Sequence, residues 1–156
     1  MDVANLFPET DDMIWTDADM TDPDVLEDNR AVFGRSWRFD FEAGEFVMSP
    51  SRKIVTTGEK EAWVQWCEKA IRTPRYRHVI YSPDYGSELE ELIGSSYGHG
   101  VQESEIKRMV TEALLADART ASVDQFTFRW EGEACHFSCQ ITNVRDETEI
   151  VESVVI

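Results

Sequence analysis

The chain has 156 residues, 42% of them hydrophobic, enough for one domain with a true core. Its 31 acidic and 15 basic residues leave a net charge of −16, which argues against nucleic acid or an anionic membrane surface as a partner, since both call for a basic face. No apolar run approaches the roughly 20 residues of a membrane-spanning helix, and the first residues lack the pattern of a signal peptide, so the chain is expected to stay in a cytosol.

Residues 1–29 carry ten acids and no Lys or Arg. Apolar residues punctuate the acids, with Ile14 beside Trp15 the densest pair. Two readings stay open: a disordered acidic arm, or an arm that orders on a partner, with Ile14 and Trp15 as anchors and the acids selecting a basic surface. The remaining residues, 30–156, are expected to form the folded domain.

Ser36 to Phe41 alternates, with Trp37, Phe39 and Phe41 on one side, as in a half-buried strand. A Glu-Ala-Gly turn and Glu45 to Met48 complete a hairpin, and Lys53 to Thr56 is a further short extended piece. Thr56 and Glu59 resemble a capping box for a helix over about 58–72. Trp63, Trp66, Cys67, Ala70 and Ile71 form its buried stripe, so Cys67 reads as core.

Thr73 to Gly94 is the most distinctive stretch. Thr73-Pro74 stops the helix, Val79-Ile80-Tyr81 reads as an apolar strand, and Ser82 to Gly86 reads as a turn. A short acidic helix, Ser87 to Ile93, follows and is capped by Gly94. Arg75 is placed to bond carbonyls freed by the helix end. Asp84 is a candidate to hold the turn through its side chain, and Gly86 can supply a positive φ. Any functional role here would be to present Tyr81 and Tyr85 at a protein interface.

His99 falls in a Gly- and Ser-rich loop and reads as solvated. A second helix covers about 101–116, with Ile106, Met109, Val110, Ala113 and Leu114 inward and a Glu103–Lys107 pair outside. Ser122 to Trp130 and Ala134 to Thr142 form the clearest hairpin, with Phe126, Phe128 and Trp130 facing Cys135, Phe137, Cys139 and Ile141. The last strand, Thr148 to Ile156, is apolar on both faces: Ile150, Val154 and Ile156 on one, Val151 and Val155 on the other. It is either an edge that pairs with a partner's strand or a strand buried between a helix layer and a loop. The fold class is therefore α+β: a single compact domain with two main helices packed on a small antiparallel sheet, an acidic N-terminal arm and a C-terminal edge strand.

Catalytic and metal patterns are weak. Cys135 and Cys139 lie four residues apart on one strand, about 13 Å at the usual rise, too far for one tetrahedral ion or a disulfide. Glu88, Glu90, Glu91, Glu131 and Glu133 cluster where solvated acids usually do. No nucleophile elbow, P-loop or dinucleotide fingerprint is present. The expectation is a protein without catalytic residues, metal or cofactor.

The central stretch resembles the baseplate-wedge and sheath-initiator family of contractile phage tails, nearest to its XkdS-type defective-prophage branch. The residues that carry the resemblance are Thr73, Arg75, Tyr76, then Ile80-Tyr81-Ser82, Asp84-Tyr85-Gly86 and Glu88-Leu89-Glu90 with Leu92-Ile93-Gly94. Similarity extends in order over about 36–155. Relatives in larger phages carry Glu-Pro-Arg here, and Thr73 stands in place of the acid. The resemblance implies a structural sheath initiator in a virion or particle baseplate, assembled in the bacterial host cytoplasm. Its implied partners are the tail sheath protein and baseplate wedge proteins, with tail tube or hub proteins as further candidates, in a sixfold collar. It also implies that one strand pairs with arms of the sheath, which assigns Thr148, Ile150, Val151, Val154, Val155 and Ile156 to the contact. The family is sometimes labelled lysozyme-related, so a peptidoglycan-degrading tail enzyme is an alternative; an acidic adaptor for a basic protein is another.

Overall fold

The computed structural model describes residues 31–155, so Ile14, Trp15 and Ile156 lie outside the described residues. The elements run β1 (Ser36–Trp37), β2 (Phe39–Asp40), β3 (Glu45–Phe46), β4 (Thr56–Thr57), α1 (Glu59–Arg72), a 3₁₀ turn (Leu89–Leu92), α2 (His99–Leu115), β5 (Thr120–Glu131), β6 (Ala134–Asn143) and β7 (Thr148–Val155). The expected α+β class holds. An antiparallel sheet in the order β5-β6-β7 carries both helices, α2 against β5 and α1 against β7.

The central strand shows why. In β6 buried and half-buried residues alternate without a break, and Cys135, Phe137, Cys139 and Ile141 face the helices. Period-two alternation puts a strand's apolar set on one face, so the other is left to solvent. β5 needs an irregularity to do the same. Val123 pairs with Ile141 and Phe128 with Phe137, and the register shifts between Asp124 and Thr127, with Gln125 at φ 49°. The bulge lets odd-numbered Val123 and even-numbered Phe126, Phe128 and Trp130 share the core face.

Helix α1 buries Ala62, Trp63, Cys67, Ala70 and Ile71; Trp66, expected with them, is only partly buried. Glu59 and Glu61 in its first turn and Lys69 and Arg72 in its last complement the helix dipole. Trp63 is fully buried, and its indole N–H donates to Thr120 Oγ1 at 3.0 Å, which satisfies the one polar atom of the largest core side chain. Among the described residues no buried side-chain nitrogen or oxygen lacks a partner.

Several local expectations are corrected. The Ser36–Phe41 strand divides at Arg38: β1 pairs with β4 and β2 with β3, while Arg38 donates to Val55 and accepts from Val47. Its aromatic face is not half-buried throughout. Trp37 is 58% and Phe46 44% exposed, stacked edge-on at 6.2 Å. The capping box does not form. Gly58 precedes α1 without a side-chain cap, and Thr56 Oγ1 accepts from Arg35 instead. Val79-Ile80-Tyr81 is not a strand but part of a loop, and the acidic helix shrinks to the 3₁₀ turn, ended by Gly94 at φ 73° as expected. His99 is not in a loop: it opens α2 and stacks on Trp130 at 3.9 Å. Glu103 does not pair with Lys107, because its carboxylate accepts the Trp130 indole N–H at 2.8 Å. At the capping box, His99 and Glu103, a partner distant in sequence replaces the local one.

Gly86 and Gly94 both have positive φ, but only Gly86 is hemmed in. A Cβ there would lie 2.7 Å from the Thr73 carbonyl oxygen, whereas Gly94 has nothing within 4 Å. Gly94→Ala should cost about 1 kcal/mol from backbone strain alone. Gly86→Ala should cost at least about 2–3 kcal/mol more, because backbone must move as well. Urea unfolding midpoints of the two variants, compared with the parent, measure the difference.

Candidate functional site

The site begins where α1 ends. The Thr73 hydroxyl donates to the Lys69 carbonyl and the Ser87 hydroxyl to the Ile71 carbonyl at 2.6 Å, so two carbonyls at the helix end are met by side chains. The Ser87 N–H donates to the Thr73 carbonyl and the Arg75 N–H to the Ser87 carbonyl. These bonds close residues 75–86 into a compact loop with its two ends touching, the form of many functional surface loops.

Arg75 locks that closure. Its side chain is 7% exposed; Nε donates to the Gly86 carbonyl, and one terminal nitrogen reaches Glu112 at 2.7 Å and Glu88 at 3.4 Å. It does not bond the carbonyls freed by α1, which Thr73 and Ser87 already serve. Instead it ties the loop to α2 through Glu112, 37 residues away. No local pattern announces that partner. The hydrogen bond from Arg75 holds the Glu112 carboxyl below the usual glutamate range, against a smaller desolvation effect. Asp84 is exposed and makes no side-chain hydrogen bond among the described residues; the Tyr85 N–H closes the turn on the Ser82 carbonyl.

Outward, the loop offers apolar side chains. Val79 is fully exposed and Ile80 is 86% exposed, and Tyr76 stands out at φ 65°. Inward, Tyr81 packs on Tyr85 at 4.7 Å and Tyr85 on Trp66 at 5.6 Å. Together with the aromatic residues of β1 to β3 they line a cleft of about 680 Å³. Tyr81 and Tyr85, read from sequence as residues to be presented at an interface, are half-buried and line this cleft. Trp66, Lys69 and Trp37, which share the cleft, were not singled out for it from sequence, because they come from separate elements.

A second surface is the edge of the main sheet. β7 pairs with β6 from Thr148↔Thr142 to Val155↔Cys135, and among the described residues no strand pairs with its other side. Val151 is 1% exposed on the helix face, and Val155 is half-buried; Ile150 at 62% and Val154 at 40% lie on the open face. Among the described residues the helix layer covers one face of β7 and no element covers the other. Two shallow clefts flank its ends. One of about 480 Å³ lies between Val64 and Glu68 of α1 and Glu149-Ile150. The other, of about 270 Å³, lies between Ile71, Leu89 and Ile93 and Ser153 to Val155.

Catalytic chemistry finds little footing. Burial pushes the Cys67 and Cys139 thiols up to about 12 and raises Cys135 as well, so none of the three supplies a thiolate near neutral pH. Glu88 and Glu90 bond Arg75 and Arg77, and Glu131 bonds Arg129. No group of three metal-ligating side chains occurs among the described residues, and no described helix is long and apolar enough to cross a membrane.

Residues 35–147 match the contractile injection system sheath initiators. The chain belongs to that family. It is also 29% identical over 121 residues to the phage-like element PBSX protein XkdS of Bacillus subtilis (strain 168), covering 77% of this chain and 82% of that protein. Membership supports a structural role in starting the sheath of a contractile tail or related particle. The matched span holds the loop closure, both helices and the β5–β6 hairpin and stops just before β7.

The Arg75–Glu112 bond makes a pH-dependent contribution. A carboxyl whose pKa is depressed by folding stabilises the folded chain above its unfolded value and stops doing so as pH falls through the folded one. The melting temperature should therefore drop between about pH 5 and 3 more steeply for the parent initiator than for Glu112→Gln. Thermal melts across that range check the slope.

Proposed function

We propose that the protein initiates the sheath by strand addition: the outer edge of β7 accepts a strand from the first sheath ring and so imitates a sheath subunit. The observation that carries this reading is the unpaired edge of β7, backed by a packed core and bordered by clefts at both ends. An incoming strand would gain roughly 0.5–1.5 kcal/mol per main-chain hydrogen bond, and the flanking clefts would take alternate side chains and set register. Thr148, Ile150, Val151, Val154, Val155 and Ile156 are the proposed contact, with Val151 acting from beneath as the anchor of the strand to α1.

The 75–86 loop is the proposed link to baseplate wedge proteins, through exposed Val79 and Ile80 on a base held by Arg75 and Gly86. Ile14 and Trp15 are proposed anchors to a neighbouring wedge, tube or hub protein. Copies would stand in a sixfold collar at the particle baseplate, and the particle would be built in the bacterial cytoplasm. The function is then templating: contacts are held in fixed geometry and no bond is broken.

Removing β7 is a poor test, because Val151 is core and its loss would disturb α1 packing. The open-face pair Ile150→Lys with Val154→Lys leaves the core intact and places two charges on the joining strand. Co-sedimentation with the cognate sheath protein should fall about tenfold or more for this double variant while its melting temperature stays near the parent's. Undiminished sheath nucleation would move the contact away from β7.

A further inference from the structure

The cleft between the amino-terminal hairpins, α1 and the 75–86 loop is not used by strand addition. Its floor is Trp66 and Gln65 of α1, one wall is Phe39, Phe41 and Phe46, and the other is Tyr81 and Tyr85. At about 680 Å³ it is the size of a ligand cleft. Its rim keeps Trp37 and Ile80 exposed, large apolar surfaces with no cover among the described residues.

Its charge is out of keeping with the rest of the chain. The net charge is −16, yet the lining holds Arg35, Lys69 and Arg119 and no Asp or Glu. Arg119 is spent on Asp117. Arg35 and Lys69 are not: among the described residues neither has a carboxylate within ion-pair distance, and Lys69 rests 5.6 Å from the Tyr81 ring. Two unneutralised cations over an aromatic trough suit a partner that brings carboxylates and a flat apolar side chain together.

We propose that this cleft is a docking groove for an acidic peptide segment bearing an aromatic anchor. The anchor would lie on Trp66 and Tyr81 within the trough, and its flanking carboxylates would meet Lys69 and Arg35 at the rim. The inference does not depend on strand addition at β7 and uses none of its residues. The chain itself contains a segment of this chemistry, Ile14-Trp15 between Asp11-Asp12 and Asp17, which supplies a defined probe.

The experiment titrates a fluorescent peptide of residues 5–19 into the full chain and reads anisotropy at low and high salt. The comparison proteins are Lys69→Glu combined with Arg35→Glu, and a full chain whose ten acids in residues 1–29 are changed to amides. Binding should weaken about tenfold or more in the charge-reversed protein, with Trp15→Ser in the peptide, and with all peptide acids amidated. If the chain's own segment holds the groove, the amidated full chain should bind the probe about tenfold more tightly than the parent, which supports the groove and identifies its occupant. Three results would overturn the proposal: no binding to either full chain, binding indifferent to Lys69 and Arg35, or equal binding of the amidated peptide. Equal binding of a DNA oligomer of matched charge would also do so, since it would reduce the groove to general attraction for polyanions. A parent-level melting temperature for the charge-reversed protein separates lost docking from lost fold. Because these variants leave β7 untouched, their co-sedimentation with sheath separates this inference from the strand-addition reading.

Discussion

The backbone of Gly86 lies so close to that of Thr73 and Arg75 that no side chain fits between them. That approach places the Ser87 hydroxyl on the end of α1 and the Gly86 carbonyl within reach of Arg75 Nε. Arg75 then extends the tie to Glu112 on α2. One close contact thus couples the end of the first helix, both ends of the 75–86 loop and the outer side of the second helix. Leu89 and Leu92 are delivered to the core directly afterwards. A buried guanidinium is costly without partners, and here the acceptors are a carbonyl and two carboxylates. The arrangement is specific because its acceptors come from two separate parts of the chain, Gly86 and Glu88 at the end of the loop and Glu112 on α2.

A second constraint comes from supply. Two helices can cover one face of a three-stranded sheet, and the chain has no further described element for the other face or for the outer side of β7. The apolar residues follow that division. Val151 and Val155 turn toward the helix layer, while Ile150 and Val154 remain on the open face. Monomeric proteins usually blunt such edges. Glu149 and Glu152 add charge to this one, and Glu149 pairs with Lys60 across the neighbouring cleft. An edge that carries carboxylates, with a largely charged cleft at one end and a more apolar one at the other, is suited to a partner that can displace water along the whole strand.

The family relationship supports a structural role in sheath initiation. Burial raises the pKa of the protein's thiols, Glu88, Glu90 and Glu131 are ion-paired, and the strand edge, the loop tip and the aromatic cleft each display exposed apolar groups. Each of these surfaces is set by elements packed on the same two helices.

The sequence by itself determined the elements whose periodicity is strong and local. The stripe on α1 and the alternation of β5 and β6 were legible, as was the family, through the dense motif from Thr73 to Gly94. It also showed that β7 is apolar on both faces. Only the tertiary structure decided which face is buried, because that depends on where α1 lies. It decided that Arg75 serves Glu112 and Glu88 rather than the helix end, that Trp130 rather than Lys107 takes Glu103, and that Val79 and Ile80 are displayed instead of paired. It alone assembled the aromatic cleft, whose lining runs from Gly34 to Arg119. The physical reason is common to all of these. Hydrophobic period and turn chemistry act over a few residues, whereas a hydrogen-bond partner or a cleft wall is chosen by proximity in space, which chain separation does not encode.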